Sequence, residues 1–338
     1  MELAVDSRLP FPFPEGWYFI ASRQDLPKAR LLQKTWMGRN VVAWRDENDR
    51  ICVAEAVCPH LGADLAPAAG GRLSKGRLVC PFHGFEFDTS GSCAATPFGD
   101  SSRSVRLRVF ETREILGLIF AWWGIEGRGP QWSLPEAPPE ENGWSRMETW
   151  TVRFPGHPQE TTENSVDMAH LRYVHGYDNV HRVGTTSIDR HLLESRFDFK
   201  RARRIAGIAT LTFDVSAKAH IYGLGYSFVE IHERSIGMDA RLWVLATPVD
   251  GALIDLTLIS QVREMRSPSR WLAGLRFLPT RLRAPLMNKF IALQQRQDVL
   301  QDVVIWSRKQ YLPRPRFYGE ILLYRDYCAQ FYPDPELV

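Results

Sequence analysis

Cysteine is scarce in this chain, with five residues among 338, an odd number. Neither that count nor the length suits a disulfide framework, so the cysteines are expected to be thiols or metal ligands. Long hydrophobic runs are missing too. None approaches the roughly 20 apolar residues that span a bilayer, although 44% of the residues are hydrophobic. The opening MELAVDSRLPFPFPEGW has neither a basic start nor an apolar core, so it does not read as a signal peptide. A cytoplasmic location is the expectation. Neither sign of charge is in large surplus: the net charge of +3 is too small to point to nucleic acid or a membrane. No G-x-G-x-x-G follows a strand-like run, and no flavin site is evident, so any reducing equivalents must come from another protein.

What is present divides in two. Prolines at 10, 12 and 14 mark an irregular N-terminal arm over residues 1–14. Short apolar runs then follow, GWYFIA, RNVVAWR, ICVAEAV and LGLIFAWWG, separated by turn residues as in a small all-β domain. A stretch rich in Gly, Pro and Glu over 125–142 reads as a linker, which places a first domain at 15–126 and a second at 127–338. The second domain begins with a helical pattern around 160–176. Strand-like runs ATLTFDV, YSFVEIH, RLWVLATPV and LIDLTLIS come next, and a long helix is predicted over about 284–309. Strands bracketed by helices, without regular βαβ alternation, make this half α+β.

The chemistry starts with two short loops. CPHLG at 58–62 and CPFHG at 80–84 each hold one cysteine and one histidine: Cys58 and His60, then Cys80 and His83. Zinc also takes two Cys and two His, but its motifs usually pair like with like. One Cys and one His per loop suits a two-iron, two-sulfur centre, in which the two thiolates hold one iron and the two imidazoles the other. Gly62 and Gly84 would allow each loop to turn tightly. The stretches CPHLGADL and CPFHGFEFDTSGSC strongly resemble the cluster-binding loops of Rieske proteins, with an inter-loop gap slightly longer than usual. The added residues are expected in a flexible excursion, APAAGGRLSKG.

The resemblance also says which kind of Rieske centre to expect. High-potential respiratory members carry an inter-loop disulfide at positions that match Ala63 and Phe82, and hydroxyl donors at positions that match Phe85 and Phe87. Apolar or small residues stand at all four here, which implies a lower potential, as in an oxygenase or a ferredoxin. Cys52, Cys93 and Cys328 are expected to pack as small apolar residues.

About a hundred residues suffice for a Rieske ferredoxin, and some two hundred more remain. They contain ENSVDMAHLRYVHG at 163–176. Asp167 and His170 are three apart and share a helix face. His175 lies five beyond His170, about 140° around an ideal helix. Both imidazoles can meet one metal only if the helix breaks near Tyr173–Val174, and Gly176 suits such a break. A single Fe(II) favours two histidines, a carboxylate and open positions. Two aspartates on the late helix, Asp298 and Asp302, lie one turn apart on one face, and geometry does not choose between them.

Asn164, Asp167, His170 and His175 match the N-x-x-D-x-x-H-x-x-x-x-H pattern of Rieske non-haem iron oxygenases. QDVVIWSRKQY at 301–311 and YRDYCAQFY at 324–332 resemble the C-terminal segment of ketosteroid hydroxylase oxygenase components and cholesterol desaturases. That likeness makes the chain similar to a terminal oxygenase component, with an all-β Rieske domain followed by a helix-grip (START-like) catalytic domain. It implies a [2Fe–2S] cluster on Cys58, His60, Cys80 and His83, and mononuclear Fe(II) on His170, His175 and Asp302. Asp298 is then expected to face solvent. It further implies a homotrimer in which Asp167 bridges His83 of one subunit to His170 of its neighbour, with Asn164 a candidate for facing the iron pocket. Electrons would come from NAD(P)H through a ferredoxin or flavin reductase, and O2 would be the oxidant.

Hydroxylation of a bulky, mostly apolar substrate is the leading expectation. Oxidation of an arylamine, demethylation, desaturation and cyclisation use the same metal ligands. A pure electron carrier and a zinc-stabilised binding module are the alternatives of another class. Outside the two clusters, His157, His181, His191, His220 and His232 read as core or surface histidines, with His181 near enough to line a pocket. The basic, aromatic-interleaved stretch 262–290 reads as a lid, a docking patch, a membrane contact or an ordinary amphipathic helix.

Overall fold

A computed structural model describes residues 12–99, 105–136, 143–205, 209–265, 277–312, 316 and 319–333. The chain divides into two compact units. One is Glu15–Ala137 with Pro248–Gly251, and the other contains Pro138–Thr247 and Ala252–Val338. The short return at Pro248–Gly251 is a piece that no single boundary drawn along the sequence would include.

The first unit is all β. The continuous apolar runs in GWYFIAS and LIFAWW form the antiparallel strands Gly16–Ser22 and Leu118–Trp123, buried on both faces, with Thr112–Ile115 beside the latter. A second sheet joins Leu32–Trp36, Arg39–Arg45, Ile51–Glu55 and Val109–Phe110. A third, smaller sheet, Arg72–Ser74, Arg77–Val79, Glu86–Phe87 and Cys93–Ala95, carries the second Cys/His loop. The excursion between the two loops is not a flexible one. Pro67–Ala69 forms a 3-10 turn, and Arg72–Ser74 pairs with Arg77–Val79 as a hairpin. Leu65 and Ala66 anchor it by lying fully buried in the same core as Cys58 and Cys80.

The second unit is built on one eight-stranded sheet. Its path runs Glu148–Pro155, Leu253–Val262, Met238–Pro248, Tyr226–Glu233, Ala209–Tyr222, Leu192–Ile205 and Asp178–Arg182, with Ser187–Asp189 paired beside Leu192–Ile205. Inward residues such as Phe197, Phe199, Phe213, Val215, Ala217 and Met238 line the concave face, as the period of two requires. A 27-residue helix, α3 (Thr280–Trp306), lays Ala284, Met287 and Ile291 against that face. It begins earlier than the sequence pattern suggests, because Pro285 lies inside it and does not open it.

Among the described residues, three shorter helices accompany it, here α1 (Pro158–Glu163), α2 (Met168–Tyr173) and α4 (Gly319–Ala329). The single helical segment expected over 160–176 is therefore two helices with a turn between them. The chemical cause is capping: Asp167 has extended backbone geometry and its side chain accepts from the Ala169 and His170 N–H groups, which starts a new helix. Of the basic stretch 262–290, residues 266–276 lie outside the described residues. From 280 onward it is the start of α3, with Ala284 and Met287 in the core and Leu282 and Leu286 exposed. Among the described residues, no helix is long and apolar enough to cross a membrane.

The hairpin between the loops depends on Gly71. A Cβ there would stand 1.9 Å from the Leu65 carbonyl oxygen, and that neighbour is backbone. Replacing Gly71 with Ala should destabilise the first unit by about 1–3 kcal/mol, seen as earlier loss of the visible cluster absorbance on heating. An unchanged melting curve would show that the loop tolerates the shift.

Candidate metal centres and substrate cavity

The two Cys/His loops have the same backbone construction. In the first, Gly62 N–H donates to Cys58 O and Cys58 N–H to Ala63 O; in the second, Gly84 N–H donates to Cys80 O and Cys80 N–H to Phe85 O. Gly62 and Gly84 have φ of +76° and +67°, a region that only glycine enters without strain. This repetition brings equivalent residues together. The His60 and His83 rings lie 5.0 Å apart, and the Cys58 and Cys80 thiols interact directly.

Polarity is arranged by depth. Cys58 and Cys80 are 2% exposed, packed among Phe85, Phe87, Leu65 and Leu78. Phe85 stacks on His60 at 4.4 Å, so no hydroxyl reaches the centre from that position. The histidines lie nearer the surface, rimmed by exposed Leu61, Phe82, Phe98 and Val57. Burial, with the neighbouring Cys80 thiol, pushes the Cys58 thiol up to about 11. Two buried thiols in apolar surroundings make a poor thiolate pair unless a cation sits between them. His83 Nδ1 is likewise buried and has no hydrogen-bond partner. Unfilled donor atoms of this kind, two sulfurs and an imidazole nitrogen, fit a bound iron–sulfur cluster. Cys52, Cys93 and Cys328 are buried thiols outside any disulfide, packed among apolar residues.

The second centre joins α2 to α3. His170, His175 and Asp302 each offer a ligating atom, and these atoms all lie within 4.8 Å of one another. Among the described residues they are the one group of three or more donors gathered in this way. A single zinc ion on the Cys/His loops would need such a gathering there. His175 can reach because α2 ends at Tyr173 and Gly176 takes φ of +66°, its N–H capping Arg172 O. The break expected from the five-residue spacing is thus a left-handed helix end.

Each histidine is held through its Nδ1. His170 Nδ1 meets the Asp167 backbone carbonyl, and His175 Nδ1 lies 3.0 Å from Gln301 Oε1. With Nδ1 engaged, Nε2 is left for a metal, as metal-binding histidines require. His175 Nε2 is 3.4 Å from Asp302 Oδ2. Burial lowers the His170 pKa, and the charges of Asp302 and Asp167 only partly offset it. For His175, burial also opposes the proton, but hydrogen bonds and charge from Asp302 win and raise its pKa. A proton therefore competes for His175, and a divalent metal would replace it beside Asp302. The chemistry of this donor set, two imidazoles and one carboxylate with positions left open, fits mononuclear iron.

Asp298 departs from expectation. It is not a solvent-facing carboxylate: its Oδ2 accepts from the Tyr177 hydroxyl at 2.7 Å and lies 3.8 Å from Arg201. One turn of α3 separates it from Asp302, so both carboxylates face inward, one toward the histidines and one toward Tyr177. Asn164 is the C-cap of α1 and is not among the cavity-lining residues, because the chain turns between the two helices. His181 is not among them either; its Nδ1 meets Asn179 O. Buried His157 caps α1, with Nδ1 accepting from Gln159 N–H.

Sequence reasoning missed the brace behind the metal centre. Glu163, at the end of α1, accepts from Lys309 and from Arg325 of α4, and Tyr324 of α4 donates to Gln159 O. The clue lay in YRDYCAQFY, where aromatic and charged residues alternate along a short helix.

Beside His175 and Asp302 opens a cavity of about 210 Å³ between sheet and α3. Its walls are mainly aliphatic and aromatic, among them Phe197, Phe213, Val229, Met238, Met287 and Phe290.

Comparisons with known proteins agree with both halves. Residues 16–111 match the Rieske [2Fe–2S] domain, and residues 121–332 match the 3-ketosteroid 9alpha-hydroxylase C-terminal domain. The fold and the two centres thus define the class, a Rieske non-haem iron oxygenase carrying a Rieske cluster and mononuclear iron as cofactors. Within that class the chain belongs to the family that shares the 3-ketosteroid 9alpha-hydroxylase C-terminal domain. It is 26% identical to cholesterol 7-desaturase nvd 1 of Ciona intestinalis, over 98% of this chain and 71% of that protein. Over 49% of this chain it is 31% identical to the oxygenase component of 3-ketosteroid-9-alpha-monooxygenase from Rhodococcus rhodochrous, covering 44% of that protein. The fold is shared with dicamba monooxygenase bound to 3,6 dichlorosalicylic acid, at a TM-score of 0.72 and 19% identity, over 94% of this chain and 96% of that one.

The two inward aspartates have separable roles. Asp302→Asn should lower mononuclear iron content at least about tenfold while leaving the cluster intact, and Asp298→Asn should leave both unchanged. Iron and acid-labile sulfide assays on the two variants would show it; equal iron loss in both would remove the distinction.

Proposed function

We propose that this terminal oxygenase hydroxylates a bulky, mostly apolar, steroid-like substrate, using O2 and electrons delivered from NAD(P)H by a ferredoxin or flavin reductase. One observation carries the reading: the two-histidine, one-carboxylate centre opens onto an apolar cavity walled by sheet and helix. Relatives named for cholesterol and for 3-ketosteroids support a polycyclic substrate.

In this reading Cys58, Cys80, His60 and His83 hold the cluster, and His170, His175 and Asp302 hold the iron. When bound, they supply single electrons and the activation of O2. The protein's own part is positional. The Asp167 carbonyl and Gln301 aim the two imidazoles, and the Phe- and Met-rich walls exclude water and orient the substrate by its apolar body. The pure-carrier alternative leaves the convergence of three ligands beside a cavity without a purpose.

A homotrimer belongs to the same reading, with the apolar rim of Leu61, Phe82 and Phe98 as a docking face for a neighbouring subunit. Asp167 then bridges between cluster and iron histidines. Its Oδ1 serves the cap of α2, and its carboxylate meets no imidazole among the described residues.

Turnover of a steroid panel with NAD(P)H, a ferredoxin and a reductase tests the assignment. Product formation with matching O2 uptake is expected for at least one steroid. NADH oxidation without any oxidised steroid, alongside turnover of small arylamines, would replace it. Asp167→Asn keeps a capping side-chain oxygen but loses the charge. It should retain both metals and lower steady-state turnover at least about tenfold; an unaltered rate would sink the bridge.

A further inference from the structure

Helix α3 is apolar on two sides. Its inner side lines the cavity with Met287, Phe290 and Ile291. Its outer side carries Leu282, Leu286, Leu293, Leu300 and Val304, each between 40% and 58% exposed. Spacings of four and seven set these five on one narrow strip of the helix, a row about 33 Å long at 1.5 Å per residue. Just before the helix begins, Phe277 is 91% exposed. Side chains of this kind, gathered in one row, are what a surface keeps only where something covers it.

Two cations fill the gaps in the row. Lys289 follows Leu286 by three positions and precedes Leu293 by four, and Arg296 stands likewise between Leu293 and Leu300. Both are exposed, as is Arg281 next to Leu282, and none of the three makes an ion pair among the described residues. The Arg296 guanidinium lies over the Trp150 ring, 4.7 Å from its centre. The carboxylates of α3 itself, Asp298 and Asp302, are turned to the cavity. Among the residues lining the hollow shared by Lys289 and Arg296, Glu148 is the one acid. The net charge of +3 for the whole chain averages this local surplus away.

The interleaving of cations with leucines decides what can cover the row. A protein helix laid along it would bury Lys289 and Arg296 in the seam, where each needs a carboxylate to offset its lost hydration. A second copy of α3 would bring like charges together. A lipid surface makes no such demand, because leucine tips enter the acyl boundary while long cationic side chains reach back to the headgroup phosphates. We propose that the outer side of α3 rests on an anionic lipid surface, and that the cavity on its inner side takes an apolar substrate from that bilayer. Phe277 and the leucines supply the apolar contact, and Arg281, Lys289 and Arg296 supply the attraction to phosphate. One helix diameter, about 10 Å, then separates the lipid from the cavity wall. The delivery of substrate rests on the steroid-like molecule proposed above; the lipid contact does not.

Co-sedimentation of the metal-loaded full-length protein with phosphatidylcholine vesicles, with and without phosphatidylglycerol, tests it. Vesicles that contain phosphatidylglycerol should bind at least about tenfold more tightly than phosphatidylcholine alone, and added salt should weaken that binding. Leu293→Ser and Lys289→Glu should each lower it at least about fivefold, with melting curves unchanged because both sites are exposed. Turnover of a steroid supplied in cyclodextrin should be the same in both variants as in the unmodified protein. Turnover of that steroid embedded in the anionic vesicles should fall. Absence of binding to either vesicle, or binding that the variants leave unchanged, would overturn the proposal. Variants that weaken binding of the ferredoxin, in a protein that ignores vesicles, would assign the row to an acidic protein partner instead. Failure of every steroid to turn over, with vesicle binding intact, would overturn the substrate reading and the delivery route while the lipid contact stands.

Discussion

The approach of His175 to Asp302 is the contact on which the catalytic unit depends. It places an imidazole against a buried carboxylate, at the junction of a six-residue helix and a 27-residue one. Without an ion, the hydrogen bond and charge of Asp302 hold a proton on His175 against the burial that opposes it. The surrounding structure must hold them together. Asp167 starts α2, Gly176 ends it, and Gln301 fixes the ring, so that three local devices converge on one point. Behind them, Glu163 is clasped by Lys309 and Arg325, which ties the preceding helix to the C-terminal segment.

The cluster loops solve a similar problem by repetition. Two copies of one turn, each ended by a glycine in the left-handed region, present two cysteines inward and two histidines outward. The sulfur ends lie among phenylalanines and leucines, and no hydroxyl points at them from positions 85 and 87. A bound cluster would receive fewer hydrogen bonds at its sulfurs, in keeping with the lower potential that the resemblance implies.

Much of this was legible in the sequence, and for definite reasons. The Rieske domain matched over residues 16–111 was legible in CPHLG and CPFHG, because glycine-ended loops with one Cys and one His each have few other uses. The strands at 39–45, 226–233 and 253–262 show as short apolar, β-branched or aromatic runs, and ATLTFDV within Ala209–Tyr222 shows in its alternation. Strand Leu192–Ile205 was overlooked because its outward residues are charged, although Leu193, Ser195, Phe197 and Phe199 alternate inward. The turn at 164–167 was hidden for another reason: Asp167 suits a helix interior on spacing alone, and only the capping bonds reveal its place. Asp298 was misjudged because one helix face can look inward along two successive turns, toward histidines at one and toward Tyr177 at the next. The inter-loop hairpin likewise looked flexible by composition, but Leu65 and Ala66 bury its base.

The central claim is that one chain carries two different metal centres. Iron and acid-labile sulfide should be quantified on anaerobically prepared protein, with an electron paramagnetic resonance spectrum after reduction. About three irons and about two sulfides per chain, with a Rieske signal, are predicted. About two irons with that signal, in protein given ample ferrous iron, would contradict the account and leave His170, His175 and Asp302 without a metal.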